Sequence, residues 1–423
     1  MRPSAAAAAG APGSDEPDEA DEPDEGDELD ELDELDELDV GWLHAKPGVK
    51  WARYGAEVLP AWVADMDFPV PPVVRRALVA AVEGGDLGYP SWHGGTPLRA
   101  AFAERMVERY RWAADPAKVR ELTDVVQGFQ LSLHLASSPG DAVALQTPAY
   151  PPFLASITEM GRRLVAVPME DTAGGWRFDP DRAEAAIAGA GCKVLVVVNP
   201  HNPTGRVLDR GELEALAGIA ERHDLVVVTD EIHAELAFPP ARHVPFASLG
   251  PEAARRTITL TSATKAFNLA GIRCALAHVG PDAVRAAWDG APSHLYGQPG
   301  NLSVLATLAA WRDGGRWAGA VLGRLRARRD EVVARLAAEA PAARLHPPEG
   351  TYLAWIDLSA YGLGDDPAAA VLAAGRVALG HGPDFGPGGQ GFARLNFATS
   401  PAVLSGVLDR LVGALAGRDG PGR

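Results

Sequence analysis

Five lysines occur in this chain of 423 residues, at positions 46, 50, 118, 193 and 265, so any mechanism that needs an amine has few candidates. Lys265 stands in the string LTSATKAFNLAGIR, just past an apolar run that reads as a buried strand, with Ser262, Thr264 and Arg273 able to surround one anion. An amine becomes a useful nucleophile when it is partly desolvated and close to another cation, which Arg273 can supply. A surface lysine after a strand is the simpler alternative, because Ser-x-x-Lys alone is a weak pattern. Ser262 to Lys265 also fit the serine acyl enzymes of the penicillin-binding type, but their Lys-Thr-Gly and Ser-Asp-Asn companions do not occur in the chain.

Two further polar strand ends carry chemistry. In VVVNPHNPTGRV, the prolines 200 and 203 and Gly205 fix a rigid turn after an apolar run, and Asn202 is presented where open α/β sheets place ligands. In LVVVTDEIHAEL, Asp230 ends another apolar run, and a carboxylate there is costly unless a cation or metal meets it. The protonated pyridine nitrogen of a cofactor is one such cation. A helix-capping aspartate is the alternative. The segment VVQGFQLSLHLAS places Gly128 at an expected helix start, where free amides and the positive helix end suit a phosphate. The glycines 386, 388 and 391 match GxGxxG formally, yet they precede a strand and enclose Pro387, so a dinucleotide site is rejected.

The elements that must hold these residues follow from periodicity. Short apolar runs over 142–146, 193–199, 225–230 and 257–262 alternate with helical stretches, which predicts an α/β domain with a mostly parallel sheet covered on both faces. A helix is predicted over 210–222, with Asp209 and Glu212 as a capping-box variant. Another is predicted after Thr96 and Pro97, with Leu98, Phe102, Met106 and Tyr110 on one face. Beyond Asn301, helical sequence runs to about residue 339, and the arginines of 324–329 read as its solvated face.

Composition bounds the rest. The net charge is −17, but 17 acidic residues and no Lys or Arg lie between Asp15 and Asp39; removing them from 56 leaves 39 acidic against 39 basic residues. The acidity belongs to a tail whose Leu29, Leu32, Leu35 and Leu38 recur every third residue, a period that fits neither helix nor strand, so disorder is expected. A neutral body argues against nucleic-acid binding. No apolar run is long enough to span a bilayer, and no signal sequence is recognised, which predicts a cytoplasmic protein. Cys192 and Cys274 are the only cysteines, and neither HExxH nor CxxC is present, so no disulfide framework and no metal site is expected.

Taken together, these strings resemble the class I/II aminotransferase superfamily of pyridoxal-5′-phosphate (PLP) enzymes of fold type I, from about residue 42 to the end. The resemblance implies that Lys265 carries PLP as a Schiff base, Asp230 pairs with the pyridine nitrogen, Asn202 binds the phenolic oxygen and Tyr150 stacks on the ring. Ser262, Arg273 and the amides of Gly128 and Phe129 would hold the phosphate. Tyr89 would reach the phosphate of a neighbouring subunit, implying a homodimer. Arg394, in RLNFA, would clamp the carboxylate of a small amino-acid substrate, with Ala64 and Asp65 on the substrate side.

Within the superfamily, LPAWVADMDFPVPP, NPHNPTGRV, DEIHAEL, KAFNLAGIR and PEGTYLAWIDL are similar to the MalY/PatB carbon–sulfur lyase branch, the cystathionine β-lyases. Many aminotransferases have tyrosine three residues after the cofactor aspartate; His233 here matches the lyase branch. VVQGFQLSL departs from that branch. The implied activity is α,β-elimination from cystathionine or another cysteine S-conjugate, with transamination as the alternative and a PLP-binding regulator as a third reading. The implied layout is a disordered tail over 1–41, an arm and part of a small α+β domain over 42–88, a large PLP-binding domain over 89–325, and the rest of the small domain over 326–423.

Overall fold

The computed structural model describes residues 34–92, 95–292 and 295–418. Fourteen strands are present among them. Seven form the large sheet: β2 (Val119–Leu122), β3 (Ala142–Thr147), β4 (Arg163–Pro168), β7 (Cys192–Val198), β8 (Val226–Asp230), β9 (Thr257–Thr261) and β10 (Ala275–Val279). Their order is β2-β10-β9-β8-β7-β3-β4. The run from β9 to β4 is parallel, and β10 and β2 join the β9 edge antiparallel.

The central parallel strands β7 and β8 carry near-continuous apolar runs because successive side chains face opposite layers and both layers are dry. Leu195 and Val197 of β7 pack with Leu213, Leu216 and Ile219 of the helix Arg210–Arg222. Val194, Val196 and Val198 turn the other way, toward Phe129 and Phe153 of the helices Val125–Ala136 and Pro151–Glu159. The Asp209–Glu212 capping box is formed in both directions. The helix that follows Pro97 runs Leu98–Tyr110, and Thr96 supports its start by accepting from the Leu98 amide.

The smaller domain is α+β and takes strands from both chain ends. β1 (Leu59–Ala61) pairs in parallel with β13 (Val377–His381) at the edge of a five-stranded sheet completed by β14 (Phe392–Asn396), β12 (Leu353–Asp357) and β11 (Arg344–Leu345). A two-stranded hairpin of β5 (Glu170–Thr172) and β6 (Gly175–Arg177) accounts for the remaining strands. Among the described residues no helix is long and apolar enough to cross a membrane, and no group of side chains could hold a metal ion. Cys192 and Cys274 are free and buried.

Most of the acidic tail lies outside the described residues; its end, residues 34–41, is described and packs on the body. Leu35 is fully buried in the core that joins the N-terminal segment to the small domain, and the Asp36 carboxylate lies 2.9 Å from the Arg324 guanidinium. The arginines of 324–329 are correspondingly not a solvated face throughout. Arg324 and Arg328 meet Asp36, while Arg329 lies 4.9 Å from the centre of the Phe238 ring. Of the repeat's two described leucines, Leu35 is buried in the core and Leu38 packs partly against it.

Candidate active site

The carboxyl ends of β3, β7, β8 and β9 open into one cavity of about 410 Å³. Tyr150, Asn202, Asp230, His233, Ser262, Lys265 and Arg273 all line it, together with Ala64 from the N-terminal arm. Such a site follows from the topology, because loops leaving parallel strands at their carboxyl ends converge on one crevice.

Lys265 follows β9 by four residues, and its Nζ donates to the carbonyl of Ala64. Burial lowers its pKa and Arg394 adds to that, while the carboxylates of Asp65 and Asp230 act the other way. Ser262 donates its one hydroxyl proton to the Cys274 carbonyl at 2.6 Å, and its Oγ lies 2.9 Å from the Thr264 hydroxyl, so it does not donate to Lys265 and the acyl-enzyme geometry is not formed.

Asp230 closes β8 and is 6% exposed. Among the described residues its carboxylate accepts a single hydrogen bond, from the Ile232 amide at 3.1 Å, and no ion pair satisfies it. Burial therefore pushes the carboxyl up to about 7. Three residues on, burial and then the charges of Lys265 and Arg394 push the His233 imidazole down to about 3, which keeps it neutral; its Nδ1 is buried without a partner.

The Asn202 turn behaves as its prolines and glycine predict. Gly205 adopts φ +71°, and a Cβ there would stand 2.3 Å from Pro348 Cβ, so only glycine lets the turn dock on the loop before β12. Two amides of that loop, from Glu349 and Gly350, donate to the Gly205 carbonyl. Asn202 Oδ1 accepts from Arg394 Nη1 at 3.1 Å, so the small domain delivers its arginine to the large domain's asparagine.

Arg394 is 6% exposed, its Nη2 donates to the Trp62 carbonyl at 2.8 Å, and its Nε is buried without a partner. Burial lowers its pKa to about 10, and no carboxylate pairs with it among the described residues. A buried guanidinium held only by neutral oxygens is a prepared site for an anion.

Not every expected residue reaches the cavity. Gly128 and Phe129 were expected to offer amides to a phosphate, and this is corrected. The helix begins earlier, at Val125 with Asp124 as its cap, and the Gly128 amide is already bonded to the Asp124 carbonyl. Gly128 is there for packing: a Cβ would come within 2.7 Å of Leu122 and 2.9 Å of Leu260. Phe129 is fully buried in the core. Val125, Val126 and Gln127 line the cavity in their place. Tyr89 is wholly exposed and away from its own chain's cavity. Asp65 stands next to the lining through its backbone, its carbonyl accepting from Lys50 and Asn396.

Three residues were missed. Tyr352 donates to the Ala64 carbonyl at 2.9 Å, and Asn396 holds the carbonyls of Val63 and Asp65. These two fasten the arm across the site. Asn396 was findable, since it stands two residues after Arg394 and hence on the same strand face. Asp124 caps the helix through its bond from the Gln127 amide and ion-pairs with Arg273; an aspartate before the apolar run was its signal.

The donor set suits PLP. It offers an orphaned buried carboxylate for a ring cation, an amine, a flanking tyrosine, and a helix start with Ser262, Thr264 and Arg273 for a phosphate; these fit the group. Comparison with known proteins agrees. The family model "Aminotransferase class I and II" matches residues 63–411. A putative cystathionine beta-lyase of Mycobacterium tuberculosis is 36% identical over 398 residues, covering 88% of this chain and 96% of its own. Cystathionine beta-lyase PatB of Bacillus subtilis is 33% identical, covering 87% and 96%. Among solved structures, a putative PLP-dependent beta-cystathionase of Corynebacterium diphtheriae superposes with a TM-score of 0.84 at 31% identity, covering 90% of this chain and 98% of that one. The PLP-bound C-S lyase of Staphylococcus hominis gives 0.83 at 28% identity, covering 88% and 96%. With its fold, its strand-end lysine and a family match over most of its length, the chain belongs to the class I and II aminotransferase family.

Proposed function

We propose that this chain is a PLP-dependent carbon–sulfur β-lyase that converts L-cystathionine or a related cysteine S-conjugate to thiol, pyruvate and ammonia. The observation that carries the reading is the convergence of Lys265, Asp230 and Asn202 on one strand-end cavity, with Arg394 hydrogen-bonded to Asn202 at its edge. The names of the relatives support the elimination outcome over transamination.

When bound, PLP supplies the electron sink that makes a substrate Cα proton acidic and lets sulfur leave from Cβ. The chain's residues do the rest. Lys265 would hold the cofactor through Nζ and would accept the Cα proton; its lowered pKa favours the neutral amine that this needs. Asp230 would hold a proton on the ring nitrogen, and the ring cation would stabilise the carboxylate that burial now disfavours. Tyr150 would stack on the ring, Asn202 would donate to its oxygen, and neutral His233 would lie beside it without adding charge. Ser262, Thr264, Arg273 and the amides at Val125 and Val126 would take the phosphate. Arg394 would receive the substrate carboxylate, with the arm at Ala64 and Asp65 excluding water from the amine.

The same reading makes the protein a cytoplasmic homodimer. Tyr89 is wholly exposed, and Val79, Val82 and Leu87 are exposed on the same stretch, which supports a covering second copy. It divides the chain into an arm with part of the small domain over 42–88, the cofactor domain over 89–325 and the remaining small domain over 326–423.

Purified protein incubated with cystathionine and no keto acid should release pyruvate and a thiol. Neither product, with amino transfer once a keto acid is added, would establish an aminotransferase instead.

A further inference from the structure

The corner of the cavity that suits a phosphate already contains a carboxylate. Asp124 Oδ1 accepts from the Gln127 amide at 2.8 Å, and Oδ2 is ion-paired with Arg273. No other carboxylate pairs with Arg273 among the described residues. Asp124, Arg273, Ser262 and Thr264 line the same cavity. The carboxylate thus uses the two strongest anion-attracting features there, the guanidinium and the first turn of the helix.

A phosphate at this corner meets a like charge, and Arg273 must divide itself between the two. Like charges brought together in a partly desolvated site oppose binding, whereas a ligand without the phosphate feels neither the repulsion nor the competition. Resting on the reading that PLP fills this cavity, we propose that Asp124 is a built-in competitor for the cofactor phosphate. It sets PLP affinity below what the fold could reach, and it narrows the preference for PLP over unphosphorylated pyridoxal. The cofactor is then exchangeable with its free pool, and Asp124 is a positioning and specificity residue for the cofactor rather than a catalytic one.

The test dialyses holoenzyme to equilibrium against graded PLP and, separately, against graded pyridoxal, reading bound cofactor by absorbance. Asp124→Asn keeps a good helix cap while removing the charge, and Asp124→Ser does the same with another shape. Both variants should lower the Kd for PLP by roughly tenfold and leave the Kd for pyridoxal within about twofold. An unchanged or raised Kd for PLP in both variants would overturn the proposal, as would equal tightening toward pyridoxal. Borohydride separates the two levels of argument. Reductive attachment of PLP to Lys265 with no change in Kd sinks the role of Asp124 alone, whereas no attachment in the unaltered protein sinks the cofactor reading and this inference with it.

Discussion

Asp230→Asn should strengthen the cofactor-free protein at alkaline pH while disabling it as an enzyme. The carboxyl is 6% exposed at the end of β8 with no cation against it, and burial lifts it from 3.8 to about 7. A group whose folded pKa exceeds its unfolded one binds more protons when folded, so stability falls as pH rises between those two values and is level above the higher one. A shift of about three units at 1.36 kcal/mol each gives a ceiling of about 4 kcal/mol. Relaxation around a buried charge reduces this, and ~2 kcal/mol is expected. Asparagine keeps the acceptor for the Ile232 amide at almost the same volume. The assay is urea unfolding of cofactor-stripped protein and variant at about pH 8.5 and about pH 4.5. The variant should be the more stable at the higher pH, and its advantage should shrink several-fold at the lower. Adding PLP should reverse the order, because a ring cation compensates a carboxylate and not an amide. An advantage that ignores pH, or a variant weaker at both values, would refute the account of Asp230 as an uncompensated acid.

Other outcomes follow from the same geometry. Arg394→Ala removes the buried guanidinium proposed to take the substrate carboxylate, and loss of a charge pair worth about 3 kcal/mol should lower kcat/KM by about a hundredfold, with PLP absorbance retained. Deleting residues 1–33 should leave turnover unchanged, whereas Leu35→Ala should cost about 2–4 kcal/mol of unfolding free energy by emptying a filled socket. Activity lost on deleting 1–33 would favour a regulator that works through its tail. Gly128→Ala should destabilise by about 1–3 kcal/mol, because the methyl meets Leu122 and Leu260, and it should leave cofactor affinity almost unchanged. A large loss of PLP binding with intact stability would return Gly128 to the phosphate site.

Much of the fold was legible because its signals are local. The central strands of the large sheet carry apolar runs such as Val194–Val198 and Val226–Val228, and the helix Arg210–Arg222 carries its own capping box, so neither needs tertiary information. Lys265, Asp230 and Asn202 could be read because each is polar and stands at, or within four residues of, the end of a predicted strand. The amide positions failed by one turn, since a glycine inside a helix start looks the same whether it frees a ligand or lets a sheet approach; only the Leu122 and Leu260 contacts decide. Tyr352 and the arm over Lys265 were out of reach for another reason. Their partners are backbone carbonyls of residues hundreds of positions away, and a carbonyl has no signature in sequence.

The docking of Leu35 and Asp36 beside the helix Gly315–Glu339 has a consequence for how the gene can change. The chain repeats Asp-Glu-Leu from Asp27 to Leu38, so each leucine is followed by an aspartate and spaced from the next by three residues. Loss or gain of one such unit upstream of Leu35 leaves the same Leu-Asp pair at the same distance from the arm. Slippage of the repeat by whole units therefore leaves the Leu35 and Asp36 contacts unchanged. A length change that is not a multiple of three residues, placed between Asp36 and Val40, would instead offer the socket a carboxylate and is the kind of variation that selection would remove.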